Sequence, residues 1–386
     1  MTPGTRSCAF TGRVHVSIAI PQLIGGGAEK LTTNLASLFA REGVLSRLYT
    51  GNLAGAERLA GVEVVDLAAP RALGAALRLR SALTADPAGT FLLTLGYVNL
   101  APILRLARPH TRIVLRIGNT MTPELRTLGT AARLRYRLAL WLATRFADLI
   151  IVQCDYMGED LARHLPHARG KLATVYNFVE EALWDYQPPR ERPLAARYLF
   201  TAASFKPQKA HDVLLAAFAR SQPRREGVRL VVAGVPRDHQ AFAALMCEHG
   251  LSDEEVIRTG FITDPYRWIA HAELCVLASR YEGFSNFLVE CAALGKRIVA
   301  TSCPGGNAEL FIHYPNVTEV PVDDVDALAA ALAQPRRDLD RSLARDYLRP
   351  FAQDHIYGRY LDLLIGSAGG PPAEGRPQGA AGTCAE

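Results

Sequence analysis

The chain reads as two parallel α/β domains, each a doubly wound Rossmann-like sheet, facing one another across a cleft. Three observations predict this. Short apolar runs alternate with helical stretches, the pattern of βα units around a parallel sheet. The alternation runs through two series of similar length, parted by a Pro- and charge-rich stretch at 177–193. The 386 residues are enough for two domains of ~100–200 residues each, and with 49% hydrophobic residues both can bury a core.

In order, VHVSIAI (14–20) reads as a first strand, followed by the loop PQLIGGGAEK (21–30) and a helix over 31–43. SRLYT (46–50), TFLLTLG (90–96), RIVLRI (112–117) and DLIIVQ (148–153) are further strands, with helices in the gaps. Between the last two, residues 124–148 make a basic amphipathic helix or helix pair. There Arg126, Arg133, Arg135, Arg137 and Arg145 alternate with Leu134, Leu138, Trp141, Leu142 and Phe146. The second series has strands at 198–204, 229–235, 256–261, 273–278 and 296–302, and a helix at 286–295. Residues 346–366 read as an amphipathic terminal helix broken near Pro350. The expected division is 1–178, 179–365 and a Gly/Pro/Ala-rich tail, 366–386, expected to be disordered. Ligands of such folds bind where strand carboxyl ends face the cleft.

Charge is uneven. Residues 1–180 hold 21 Lys/Arg against 12 Asp/Glu, and the remainder 22 against 26. A basic first half suits an anionic partner such as a membrane surface. Its basic residues are not interleaved with aromatics as in a nucleic-acid module, so no nucleic-acid partner is expected. The longest apolar stretches, such as 138–143, fall far short of a membrane span, and the opening residues lack the long apolar core of a signal peptide. Seven scattered cysteines without a CxxC fit reduced thiols in a cytoplasmic protein.

The chemistry concentrates in SRYEGFSNFLVE (279–290). Gly283, Phe284, Ser285 and Asn286 form a loop that opens a helix, and such a loop offers backbone N–H groups to phosphate. Glu282 and Glu290 flank it. Carboxylates repel phosphate but accept hydrogen bonds from hydroxyls. A diphosphate with hydroxyls at both ends is a nucleotide sugar. A surface turn with two acidic residues is the other reading. Gly26 and Gly27, within GGGAEK (25–30), let backbone approach a ligand, although an ordinary βα turn has the same composition. Lys209, in SFKPQKAHD (204–212), is a second cationic element.

Together with CPGGNAEL (303–310), these segments resemble the family 4 (group 1) retaining glycosyltransferases, whose fold is GT-B. The resemblance covers about residues 12–365 and implies roles for single residues. Glu282 lies near the hexose and the reacting centre, with Lys209 as its catalytic companion neutralising the diphosphate. Glu290 binds ribose hydroxyls. Gly26, Gly27, Ser204, Gly283, Phe284, Ser285 and Asn286 meet phosphate or sugar, while Gly234 and Ile262 frame the base. Arg116 and Asn119 are acceptor-side candidates, in a region where many members carry a His or Asp and this chain has neither. Ala203 and Ser204 stand where the family has Gly-Arg, so one cation is missing; Lys206 or Arg280 is the expected substitute. Glu309 is either a donor contact or a helix cap.

The implied activity is retaining transfer of a hexose or N-acetylhexosamine from a nucleoside diphosphate sugar, expected to be UDP-linked, to a glycan or polyprenyl-linked saccharide in bacterial surface polysaccharide or lipopolysaccharide assembly. It needs no cofactor and no metal. The enzyme is expected in the cytoplasm, with peripheral contact to the anionic inner face of the membrane. Two alternatives stay open: a GT-B epimerase or phosphorylase-like enzyme, and a non-catalytic nucleotide-sugar-binding subunit.

Overall fold

A computed structural model describes residues 15–24, 26–69, 71–82, 86–334 and 337–366. Gly25, Cys8, Cys384 and the tail from 367 on lie outside the described residues. The first sheet contains β1 (Val16–Ile20), β2 (Leu45–Thr50), β3 (Val64–Asp66), β4 (Thr90–Thr94), β5 (Arg112–Arg116), β6 (Leu149–Val152) and β7 (Leu172–Thr174). Their spatial order is β3-β2-β1-β4-β5-β6-β7. The second contains β8 (Tyr198–Ala202), β9 (Arg229–Ala233), β10 (Val256–Gly260), β11 (Leu274–Leu277), β12 (Ile298–Thr301) and β13 (Val317–Val320), in the order β10-β9-β8-β11-β12-β13. Every pairing between these strands is parallel. In both sheets the order reverses beside the first strand of the series, which opens a crevice at the strand carboxyl ends.

The central strands are continuous apolar runs because helices cover both faces of a parallel sheet. All five residues of β1 and of β4 are buried. The helix Gly27–Arg41 buries Leu31, Leu35 and Phe39 against one face of the first sheet. The 124–148 segment is a helix pair, Met121–Thr127 and Thr130–Phe146, hinged at Leu128 and Gly129.

After the second sheet the chain turns back. Pro350 falls in a short 3-10 turn, Arg349–Phe351, and the helix Gln353–Ile365 follows. This last helix buries Ile356, Tyr360, Leu363 and Leu364 in the core of the first sheet. The Thr90 hydroxyl donates to Leu364 O at 3.0 Å, and the Phe39 and Tyr357 rings meet at 5.4 Å. The two halves are therefore joined twice, by the segment after β7 and by the returning helix.

Candidate functional site

The two strand-end crevices face each other, and the residues singled out from the sequence line both walls. On the second wall, β11 runs into the 279–285 loop and the helix Asn286–Ala293. Ser285 caps that helix, its hydroxyl accepting from Leu288 N at 3.4 Å. Glu282 is 5% exposed. Its Oε1 accepts from Lys209 Nζ at 2.6 Å and from the Ser279 hydroxyl at 2.5 Å. Phe284 is buried in a cluster with the rings of Tyr176 and Phe351, at 5.3 and 5.5 Å. Its loop is thus held by aromatic packing, not free to drift.

The second carboxylate is also engaged by a lysine. Glu290 Oε1 accepts from Lys30 Nζ at 2.7 Å, and Lys30 reaches there from the first wall. The same ammonium donates to Glu180 Oε1 at 2.8 Å and to the Tyr266 hydroxyl at 2.5 Å. Burial disfavours the Lys30 charge, but Glu290 and Glu180 outweigh it and hold the ammonium above the usual lysine range. Burial pushes the Glu290 carboxyl up, against the pull of Lys30.

Between these lysine–carboxylate pairs the halves meet through backbone. Asn286 Nδ2 donates to Gly27 O at 2.7 Å, and a Cβ on Gly27 would stand 2.3 Å from that nitrogen. A Cβ on Gly283 would lie 2.5 Å from Gly118 O. Both glycines allow close contact between the walls. The Gly26 N–H is taken by the Glu29 carboxylate at 3.0 Å, so an anion already occupies the helix start where a phosphate would sit.

The other expected residues fall as follows. Ser204 is exposed on the loop after β8, and its carbonyl accepts from His211 Nε2 at 3.2 Å. Gly234, just past β9, is exposed and donates its N–H to Gly260 O at 2.7 Å. Ile262 is half-buried in the loop before the helix Pro265–His271, four residues ahead of Tyr266. Asn119 is exposed at the cleft mouth and donates to Glu124 Oε2 at 3.0 Å.

Arg116 requires a correction. It is 1% exposed, not displayed to an acceptor. Its Nε donates to the Tyr360 hydroxyl at 3.0 Å and its NH2 to Asn177 Oδ1 at 2.8 Å. With its amide turned oxygen-inward, Gln153 accepts two more of its N–H groups, at 2.9 and 3.2 Å. Asn177 in turn donates to Phe284 O and Asn286 Oδ1, at 3.0 and 2.6 Å. Arg116 therefore braces the 283–286 loop, through Asn177, and the returning helix. Arg280 is likewise not a spare cation: it pairs with Asp212 at 2.6 Å and Asp323 at 2.7 Å. Lys206 is exposed on the loop beside Lys209. Glu309 caps a helix, but one in the opposite half, accepting from Asp155 N and Tyr156 N at 3.1 Å each.

Sequence reasoning passed over Lys30, Glu180, Tyr266, Asn177 and Gln153. Lys30 carried a signal, as the sole cation of the glycine loop motif already singled out. Tyr266 sits in the base-framing segment 261–273 but was not picked from it, and Glu180, Asn177 and Gln153 come from segments with no motif, brought in by the fold.

Comparison with known proteins gives the family and the fold. A model described as Glycosyltransferase Family 4 matches residues 25–183, and one described as Glycosyl transferases group 1 matches 196–338. An N-acetylgalactosamine-N,N'-diacetylbacillosaminyl-diphospho-undecaprenol 4-alpha-N-acetylgalactosaminyltransferase of Campylobacter jejuni is 29% identical over 165 residues, 43% of this chain and 44% of that protein. A glycogen synthase of Mycobacterium tuberculosis is 26% identical over 210 residues, 53% of this chain and 49% of that one. The chain thus spans less than half the length of these curated relatives. Among solved structures, sucrose-phosphate synthase from Thermosynechococcus elongatus superposes with a TM-score of 0.76 at 17% identity, over 92% of this chain and 98% of that one. Anabaena HepE in complex with UDP gives 0.70 at 17% identity, over 91% and 99%. These two likenesses establish the fold.

Proposed function

Given that the chain belongs to the family 4 (group 1) glycosyltransferases and has their GT-B fold, we propose that it transfers a hexose or N-acetylhexosamine, with retention, from a nucleoside diphosphate sugar to a saccharide hydroxyl. One observation carries this reading. Two carboxylates eight positions apart, Glu282 and Glu290, flank the start of a helix in the cleft, and each is paired with a lysine.

In the proposed complex the diphosphate lies over the 283–286 backbone, with Lys209 turned from Glu282 to its oxygens. Glu290 accepts from the ribose hydroxyls and Glu282 faces the hexose. The anomeric carbon–phosphate oxygen bond breaks as the acceptor oxygen bonds to that carbon on the same face. The acceptor's proton passes to the leaving phosphate. The protein positions the partners and stabilises charge, and Lys209 with the backbone N–H groups meets the leaving charge without a resident metal.

UDP is the proposed nucleotide, supported by the UDP and UDP-glucose complexes of HepE. A lipid-linked acceptor in surface polysaccharide or lipopolysaccharide assembly is proposed from the undecaprenol-linked substrate named for the Campylobacter relative and from a structural neighbour, WaaG, named as acting in lipopolysaccharide biosynthesis. Among the described residues no helix is long and apolar enough to cross a membrane. We place the enzyme at the cytoplasmic face, touching the bilayer through the exposed row Leu134, Leu138 and Trp141.

The deciding experiment is a thermal-shift panel of UDP, GDP, ADP and their sugars, with Glu290→Ala alongside. A ligand bound only by folded protein raises the melting temperature. A shift with UDP ligands that weakens in Glu290→Ala supports the reading, and a shift with GDP or ADP ligands instead changes the donor class. No shift with any of them rejects the donor reading. The absent family arginine at Ser204 keeps one other reading in view, a non-catalytic binding subunit. Hydrolysis of the bound sugar nucleotide by purified protein excludes it.

A further inference from the structure

We propose that Lys30 is a positioning residue of the donor site, an ammonium from the first half of the molecule that fixes the ribose carboxylate Glu290 and thereby ties nucleotide binding to closure of the cleft. This rests on the donor reading above.

The geometry is specific. Lys30 has three N–H donors and three acceptors at hydrogen-bond distance, from Glu290, Glu180 and Tyr266. Its nitrogen also lies 4.8 Å from the Tyr266 ring centroid. The Tyr266 hydroxyl, having accepted from Lys30, donates on to Glu180 at 3.4 Å. None of the three acceptors belongs to the first sheet or its helices: Glu180 follows β7 in the connecting segment, and the other two lie in the second half.

The contact is also in register. Gly27 and Lys30 stand three positions apart on one helix, and Asn286 and Glu290 four apart on the other, so each pair shares a helix face. Gly27 O takes Asn286 and Lys30 takes Glu290. Two helix starts from opposite walls thus dock turn against turn, at the proposed ribose subsite.

Opening the cleft withdraws Lys30 and leaves Glu290 facing Glu180 around Tyr266 with no cation between them. A carboxylate without its partner charge has no fixed orientation and is repelled by its neighbour. The ribose diol then meets a poorly placed acceptor. Closure and nucleotide binding consequently favour each other, and linkage makes that coupling reciprocal.

The test is titration of UDP into wild type, Lys30→Met and Lys30→Gln by calorimetry, with small-angle scattering of each protein free and with UDP. Lys30 touches Glu290 but comes from the opposite wall, so weaker UDP binding together with a larger ligand-free radius reports coupling to closure. The expected result is weakening of about tenfold in both variants, with a larger ligand-free radius of gyration than wild type. Equal affinity, tighter binding (the sign of a lysine that competes with ribose) or an unchanged radius overturns the proposal. If wild type itself fails to bind UDP, GDP and ADP alike, the donor reading fails. The ligand-free radii then decide the tie alone, an unchanged radius overturning it.

Discussion

The Lys209–Glu282 pair is the most buried charge pair at the proposed reacting centre, with side chains 19% and 6% exposed. At that burial the cost of removing one partner exceeds what the pair itself contributes, because the remaining charge is stranded. Lys209→Met should lower stability by about 3 kcal/mol. Adding Glu282→Gln should recover most of that loss while transfer stays down by about a hundredfold or more. Denaturant melts and turnover of both proteins check this; activity that returns with stability would make the pair purely structural. The Lys30 tie makes a pH prediction. Its lysine is raised above 10.5 in the folded protein, so its stabilisation is present through neutral pH and is lost as pH climbs through the raised value. The groups facing it are the Glu290 and Glu180 carboxylates and the Tyr266 phenol. Burial raises the Glu290 carboxyl above 4.5, so falling pH discharges it early and weakens the pair from the acid side. The melting-temperature gap between wild type and Lys30→Met should therefore be widest from neutral to mildly alkaline pH and shrink towards acid. A gap independent of pH would show that the loss is one of packing.

At the scale of elements, the cleft closes because side chains are missing where the walls touch. Gly283→Ala would put a Cβ 2.5 Å from Gly118 O and 3.0 Å from the Gln153 side-chain amide, an overlap relieved only by parting the walls. Both halves should still fold and UDP should still bind, about tenfold more weakly as closure is impaired, while transfer falls by orders of magnitude. Calorimetry against turnover separates the two effects, and a fully active variant would refute this closure geometry. A different strain sits just after Lys209. Ala210 is buried and left-handed, with φ +47° and ψ +47°. Relief of about 1–2 kcal/mol in Ala210→Gly is offset by the lost methyl and the freer unfolded chain, about 0.8 and 0.4–1 kcal/mol. That variant should be near neutral and Ala210→Val clearly destabilising, as melting curves would read out. The central elements were legible in the sequence because strands buried on both faces are uninterrupted apolar runs. The edge strands β3, β7 and β13 were not: they have three or four residues each, mostly half-exposed, and carry no such run. Site chemistry was legible where one short segment holds it, as at 279–290. The Lys30, Asn177 and Arg116 contacts were not, since each depends on how the two halves meet; Arg116 reads as a cleft cation until Tyr360, 244 positions away, covers it.

The whole molecule adds an orientation to this chemistry. Its excess of positive charge lies in residues 1–180, and part of it lines the Thr130–Phe146 helix. On that helix Leu134, Leu138 and Trp141 are 70%, 56% and 44% exposed in a row at i, i+4 and i+7, beside exposed Arg133, Arg135, Arg137 and Arg145. Apolar side chains left outward beside arginines suit the interface of an anionic bilayer. Tyr136 of the same helix lies within electrostatic reach of Glu124 and of Tyr281, the neighbour of Glu282. The helix that would rest on the membrane therefore turns its opposite face, with Tyr136, toward the 279–285 loop of the cleft, so a saccharide on a lipid carrier would be presented beside it. With about 1 kcal/mol per arginine near the surface, four of them contribute about 4 kcal/mol at low salt, and the apolar row adds a part that salt does not screen. The protein should therefore float with vesicles containing phosphatidylglycerol and much less with pure phosphatidylcholine. Added salt should weaken that binding without abolishing it. Leu138→Glu with Trp141→Glu should release the protein from the vesicles, leaving its melting temperature and its transfer to a water-soluble acceptor unchanged. Equal flotation with both lipids, or a double variant that still floats, would remove the membrane from the proposed cycle and leave the basic half to bind an anionic acceptor directly.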